Sequence, residues 1–229
     1  MQLGDEVEYN GRSWQILQMD WFNFMLIENE QKPIRETITV SASEMKINTT
    51  LYKKTVGEVK AYTETRSLDE EYAVERYTSK SGDFDTVNNY MRNGGTITRD
   101  QEEQISLVAS FLKDAPKIQA TTYRGMVMGD DEFKSFVKEY TKGAQIVDKA
   151  FMSTSMDPLS AEVFTRGAEK NIVMVTVSGK NGVAVSGLSA IKNEQEVLFN
   201  SGSKFRIDRS ELSNGENGRN ILSILLTEL

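Results

Sequence analysis

The sequence has no cysteine and no histidine, only three prolines in 229 residues, and no run of eighteen apolar residues. Without cysteine there are no disulfides, thiolate zinc sites or thiol nucleophiles, and without histidine the commonest general base and metal ligand is gone. Any chemistry therefore runs on carboxylates, hydroxyls, lysine or arginine. Residues Met1 to Met19 carry acids and a turn where a signal peptide needs a basic start and an apolar stretch. Neither a membrane span nor Sec export is expected, which leaves a cytoplasmic protein or one delivered into a target cell by another route. Basic residues are also in deficit, 27 against 34 acidic, for a net charge of -7. The whole molecule is thus not attracted to phosphate backbones, and a nucleic-acid partner would need a local basic patch. What remains is ordinary globular composition, 38% hydrophobic and 27% charged, in a chain long enough to bury roughly 70% of its unfolded surface.

The first fifty residues predict short strands. Val7 and Tyr9 alternate with Glu6 and Glu8, Asn10-Gly11 suits a tight hairpin turn, and Trp14 and Ile16 resume the alternation. Phe24 to Ile27, Thr37 to Val40 and Met45 to Ile47 follow as further strands. The stretch from Gly4 to Ile16, Gly-Asp-x-Val-x-Tyr-Asn-Gly-x-x-Trp-x-Ile, resembles SH3-like barrels. The first fifty residues hold four basic residues against eight acidic ones, which disfavours generic phosphate binding and favours a targeting or packing module.

From about residue 60 helices are expected. Ser67 to Glu70 and Thr98 to Gln101 have the form of capping boxes, and Phe84 to Met91 predicts a helix closed by Asn93-Gly94-Gly95. After Pro116 the pattern turns to strands at 121–125, 150–155, 172–177, 196–199, 204–207 and 221–226, interrupted by one helix with Asp157 as N-cap and Pro158 at its first position. Helices first and strands afterwards predict an α+β domain.

Three motifs carry chemistry. Thr122-Tyr123-Arg124-Gly125 sets an arginine beside a glycine at a strand end. A planar guanidinium can hold a phosphate by two parallel hydrogen bonds, and glycine lets a ligand approach the backbone. Alone, such an arginine is far more often a surface ion-pair partner. In Phe151-Met152-Ser153-Thr154-Ser155 the two serines face one side of a strand and Thr154 the other. Such hydroxyls can orient a ribose or a carboxylate, and they also occur on ordinary edge strands. In Asn193-Glu194-Gln195-Glu196-Val197-Leu198-Phe199, an extended backbone puts both carboxylates on one face with Cα atoms about 6.6 Å apart. Their repulsion is a cost that a purely structural segment avoids, although a solvated turn accounts for the stretch equally well.

Arg124, the Ser-Thr-Ser 29 residues later and the Glu-x-Glu a further 41 residues on together resemble the Arg-Ser-Glu signature of mono-ADP-ribosyltransferases. The likeness is to the toxin-like branch that includes the enzymatic components of insecticidal and clostridial binary toxins. Val87-Asn88-Asn89-Tyr90-Met91-Arg92 is similar to that family's Ile-Asn-x-Tyr-Leu-Arg helix, and Gly-Ser-Lys-Phe-Arg-Ile at 202–207 is similar to the strand after its catalytic turn. The resemblance covers about residue 58 to the C-terminus. It implies two packed, mainly antiparallel sheets with N-terminal helices. The expected division is an SH3-like barrel at 1–50, a linker at 51–57 and a catalytic domain at 58–229.

The resemblance also implies roles. NAD+ is the substrate, no metal is needed, and the nicotinamide-ribose bond breaks through an oxocarbenium ion, a charge problem like that of glycoside cleavage. Glu196 matches the glutamate that steadies the cation, Ser153 the serine that positions it, and Thr154 and Ser155 shape that strand. Arg124 matches the arginine on the phosphates, Gly125 the backbone contact to the nicotinamide amide, and Phe164 the aromatic beside nicotinamide. A second phosphate-binding arginine is expected three residues after that aromatic, but Gly167 stands there, leaving Arg166 as a substitute. Asn88 and Arg92 match polar contacts to the nucleotide, and Phe84 a position often held by tyrosine. Glu194 completes a Glu-x-Glu pair, which in the family accompanies transfer to arginine.

The resemblance thus points to a protein-modifying toxin, effector or phage-encoded enzyme. A protein acceptor is favoured over RNA or DNA, and an antitoxin or a translocating subunit are further candidate partners. NAD+ glycohydrolysis and non-catalytic NAD+ binding are the competing readings. Gly179, Gly182 and Gly187 suggest a mobile segment between Ser178 and Asn193.

Overall fold

A computed structural model of the chain describes residues 6–9, 12–19, 23–28, 37–41, 49–79, 84–168, 170–189, 195–215 and 218–229, with side chains described from residue 51 onward. It separates into two compact units, Met1–Asn48 and Thr49–Leu229.

The first unit is an antiparallel meander of β1 (Glu6–Tyr9), β2 (Arg12–Met19), β3 (Asn23–Glu28) and β4 (Thr37–Ser41) in that order. Tyr9 pairs with Arg12, the register that a two-residue connection imposes. Asn10, Gly11 and the strand expected at 45–47 lie outside the described residues.

The second unit opens with α1 (Thr49–Thr63), α2 (Leu68–Tyr77), α3 (Phe84–Asn93) and α4 (Arg99–Asp114). Residues 51–57, expected as a linker, are the body of α1. Tyr52, Thr55, Val59 and Thr63 recur at helical spacing and are buried at 7% exposure or less, so the helix has a core-facing stripe. Two threonines in that stripe, with Gly57 between its members, hid the periodicity. Ser67 caps α2 through the Glu70 N–H. The Glu70 side chain turns to Arg66 instead of closing a box. Thr98 and Gln101 form the full reciprocal capping box on α4.

The strands are β5 (Ile118–Val127), β6 (Gln145–Asp148), β7 (Met152–Ser155), β8 (Ile172–Ala184), β9 (Glu196–Phe199), β10 (Ser203–Asn214) and β11 (Asn220–Glu228), with α5 (Asp130–Glu139) and α6 (Pro158–Thr165) between them. They pair in the order β5-β7-β9-β8-β11-β10-β6, with β5 also bonded to β8. The two sheets expected are therefore joined through β8, which pairs with β5, β9 and β11. Gly179 and Gly182 permit this: a Cβ on Gly179 would meet the Phe199 ring at 2.4 Å, and one on Gly182 would meet Val197 at 2.4 Å. These two glycines are seats for β9 rather than markers of mobility, which corrects that expectation. Only β8 and β11 run parallel among the described pairs.

Two apolar clusters flank β9. Val197 and Phe199 join the cluster that includes Val175, Phe205 and Leu226, while Leu198 packs with Phe151, Tyr77, Val87 and Phe111 of the helical side. With a core on each face, β9 reads as a continuous apolar run. Glu196, on the same face as Leu198, is delivered to the rim of the helical cluster.

Candidate active site

Register brings the three motifs together. β7 pairs with β9 so that Ser155 lies opposite Glu196 and Ser153 opposite Leu198, and β5 touches β7 through Tyr123 and Ser155. The Ser153 hydroxyl donates to Glu196 Oε1 at 2.7 Å. Arg124 Nη1 donates to the Ser153 carbonyl at 3.3 Å. An arginine, a serine and a glutamate that are up to 72 residues apart in sequence thus share one site. Glu196 is only 6% exposed.

The other residues of the serine strand have structural partners. Thr154 Oγ1 donates to the Val197 carbonyl at 2.8 Å, tying β7 to β9. Ser155 Oγ accepts from Asp157 N–H at 2.9 Å, at the turn where Asp157 caps α6 by accepting from Leu159 N–H. Gly125 is constrained by packing: a Cβ there would stand 2.0 Å from the Ala161 carbonyl of α6. That close approach holds α6 against β5, independently of any ligand.

α6 carries the remaining aromatic and cation. Phe164 is 62% exposed, and Arg166 follows the last helical residue, its N–H bonded to the Val163 carbonyl. Gly167 adopts φ +80°, the left-handed conformation that ends helices and that glycine takes without strain. The position expected to hold a second arginine is therefore occupied by the residue that stops the helix.

On the helical side, Arg92 makes a two-point contact with Asp148, Nε at 3.2 Å and Nη2 at 3.1 Å. Asp148 also accepts from Ala150 N–H at 3.0 Å, which anchors the carboxylate to the backbone leading into β7. Arg92 lies close enough to Arg124 for its charge to matter. Burial first, and the Arg92 charge second, hold the Arg124 guanidinium below its ordinary value. Asn88, expected to contact the nucleotide, is 8% exposed and bonded on both sides of its amide to the Tyr77 hydroxyl, at 3.1 and 2.8 Å. Burial pushes the Tyr77 hydroxyl up to about 12, against the pull of Asn88. Phe84 stands at the start of α3, 37% exposed. Glu194 lies outside the described residues. Among those described, no group of three or more acidic side chains is placed to hold a metal.

Four further residues reach this site without a sequence signal. Asp148 orients Arg92, and Tyr77 occupies Asn88. Tyr52 and Ser186 bond to the Glu196 peptide groups. Tyr52 fell in the stretch taken for a linker, and a lone serine in a glycine-rich segment carries no pattern.

Comparison with known proteins places this geometry. The family model described as ADP-ribosyltransferase exoenzyme matches residues 46–228. The Vis toxin of Vibrio splendidus is 32% identical over 156 residues, 63% of this chain and 60% of its own sequence. Secreted exoenzyme S of Pseudomonas aeruginosa is 33% identical over 124 residues, 53% of this chain and 25% of its own. This chain thus spans less than two thirds of the curated relatives it matches. The solved structure of Vis superposes with a TM-score of 0.59 at 26% identity, over 79% of this chain and 84% of that one. With four fifths of its length matched by one family model and its fold shared with a solved relative, the chain belongs to the ADP-ribosyltransferase exoenzyme family.

Proposed function

We propose that the chain is a mono-ADP-ribosyltransferase of the Arg-Ser-Glu class that cleaves NAD+ and transfers ADP-ribose to arginine on a protein. The observation that carries this reading is the 2.7 Å hydrogen bond from Ser153 to Glu196, beside an arginine bonded to the same serine's carbonyl.

Glu196 stands under the nicotinamide ribose, accepts from a ribose hydroxyl and stabilises the cation that forms as the C–N bond breaks. The bonding electron pair leaves with the nicotinamide nitrogen, neutralising the pyridinium. Ser153 fixes the orientation of the Glu196 carboxylate by holding one of its oxygens. Arg124 grips the dinucleotide phosphates, with Arg92 beside it aimed by Asp148 and Arg166 as a further candidate, while Phe164 and Gly125 frame the nicotinamide. Asn88 acts through Tyr77, and Phe84 borders the nucleotide from α3. Thr154 and Ser155 hold the strand. Glu194 receives the acceptor guanidinium and takes the proton that its nitrogen loses on attacking the ribose carbon. The name of Vis specifies NAD+-arginine ADP-ribosyl transfer, which supports arginine as the acceptor.

The toxin and secreted-exoenzyme relatives support a role as toxin or effector acting in the cytosol of its target. No helix is long and apolar enough to cross a membrane among the described residues. Placement in the binary-toxin branch rests on the α3 sequence and the Glu-x-Glu turn. The N-terminal meander is an SH3-like targeting module in this reading.

The test is incubation of the purified chain, Glu196→Ala and Glu194→Ala with labelled NAD+ and a cell lysate, following nicotinamide release and label separately. Label on protein that vanishes with Glu196→Ala, and that Glu194→Ala abolishes while NAD+ cleavage survives, is expected. Label on RNA or DNA replaces the acceptor, label on neither makes the chain a glycohydrolase, and binding without nicotinamide release defeats the enzymatic reading.

A further inference from the structure

A closed circuit of hydrogen bonds lies behind the Glu196 carboxylate. Glu196 N–H donates to Ser186 Oγ at 2.9 Å, the Ser186 and Tyr52 hydroxyls share a short hydrogen bond, and the Tyr52 hydroxyl donates to the Glu196 carbonyl at 3.0 Å. Proton bookkeeping fixes the direction. Tyr52 gives its only hydroxyl hydrogen to the carbonyl, so Ser186 gives its own to Tyr52 and accepts from the Glu196 N–H. Each donor in the ring is used once. Val185 N–H adds a second bond to the same carbonyl at 3.0 Å. Tyr52 and Ser186 are 5% and 6% exposed, so solvent has little access to the circuit.

The location explains why hydroxyls are needed. Glu196 is the first residue of β9, and the β8–β9 ladder pairs only Val183 with Leu198 and Ala184 with Val197. The preceding Gln195 has φ +45°, a left-handed turn that bends the chain away before Glu196. On its β8 side the Glu196 peptide sits at the frayed end of a very short ladder, and Tyr52 and Ser186 act as its continuation.

We infer that Tyr52 and Ser186 are positioning residues that aim the catalytic carboxylate by clamping both peptide groups of Glu196, so that α1 belongs to the catalytic apparatus. The inference rests on the reading of Glu196 as the cation-stabilising group. A displacement of about 1 Å at such a group costs up to about a hundredfold in rate; Ser153 holds only the carboxylate and Val185 N–H only the carbonyl, so the Glu196 N–H depends on Ser186.

Tyr52→Phe keeps the ring in the core and removes one oxygen, Ser186→Ala removes the other hydroxyl, and Tyr62→Phe is the control. Tyr62 is on the same helix, and its hydroxyl has no hydrogen-bond partner among the described residues. Both circuit variants are expected to lower kcat for nicotinamide release by about tenfold or more, with KM for NAD+ within about twofold. The double variant should be little worse than the poorer single, because the ring acts as a unit. Amide exchange at Glu196 should rise in both, while Tyr62→Phe matches the parent chain. Unchanged kcat in Tyr52→Phe and Ser186→Ala, or an equal loss in Tyr62→Phe, overturns the inference while leaving the proposed activity intact. A folded parent chain that releases no nicotinamide overturns the reading of Glu196 and the inference with it.

Discussion

Glu196 is held on three sides: Ser153 bonds its carboxylate, β7 pairs against it at Ser155, and the Tyr52–Ser186 pair bonds its peptide groups. A residue so constrained is intolerant of any change in charge. On the proposed mechanism, Glu196→Gln preserves shape and the bond from Ser153, yet removes the charge assigned to steadying the ribosyl cation. It should lower kcat for NAD+ cleavage by about 10²–10³ with melting temperature nearly unchanged, measured by nicotinamide release beside thermal unfolding. Arg124→Lys retains charge but loses the planar fork. Its signature is a rise in KM for NAD+ of about tenfold or more, larger than any fall in kcat, and a fall in kcat alone would detach Arg124 from the phosphates.

At the scale of elements, contacts between helices and strands matter more than single side chains. Glu70 joins α2 to α4: it accepts from Arg66 at 2.8 Å twice and from Ser110 at 2.9 Å. The Arg66 bonds hold its carboxyl below the ordinary value of 4.5. This stabilisation is complete above the unfolded-state value and is lost as pH falls through the lower folded-state value. Glu70→Gln should therefore melt about 2–4 °C below the parent chain at neutral pH, and the gap should close in acid. A gap that persists in acid would mean that packing, not charge, sets it. The contact of β5 with α6 is the other critical joint. Gly125→Ala drives a methyl into the Ala161 carbonyl and the Thr165 side chain, at an expected cost of about 1–3 kcal/mol, read by denaturant unfolding. Some of these elements were legible in the sequence. Asp157-Pro158 announced α6, Thr98 and Gln101 announced α4, and 196–199 was bounded correctly. α5 has no counterpart in the sequence reading although Phe133, Phe136 and Val137 follow the acidic first turn at Asp130–Glu132; its N-cap, Gly129, has no side chain to announce the start. The resemblance to the Arg-Ser-Glu signature pointed to Arg124, Ser153 and Glu196, whereas Asp148 and Ser186 could not be found, since each matters only through a partner more than nine residues away.

For the molecule as a whole, the boundary between the two units falls at Asn48–Thr49, within two residues of the end expected for the barrel at residue 50, and the second unit starts nine residues before the expected catalytic domain. A chain starting at Thr49 keeps all of α1, whereas one starting at Glu58 lacks buried Tyr52 and Thr55. Residues 49–229 should fold and release nicotinamide at the parent rate, and residues 58–229 should lose most of that activity. Equal activity of the two would exclude α1 from any catalytic part. The long-range register of β7 and β9 has a temporal meaning as well. Ser153 meets Glu196 across 43 residues, and Arg124 meets Ser153 across 29, so no local fragment can gather these three side chains. Sheets closed by such distant pairings form slowly, on the order of milliseconds to seconds. On the proposed activity, a chain refolding from denaturant releases no nicotinamide until β9 has docked between β7 and β8. The onset of nicotinamide release after dilution from denaturant therefore times that docking directly.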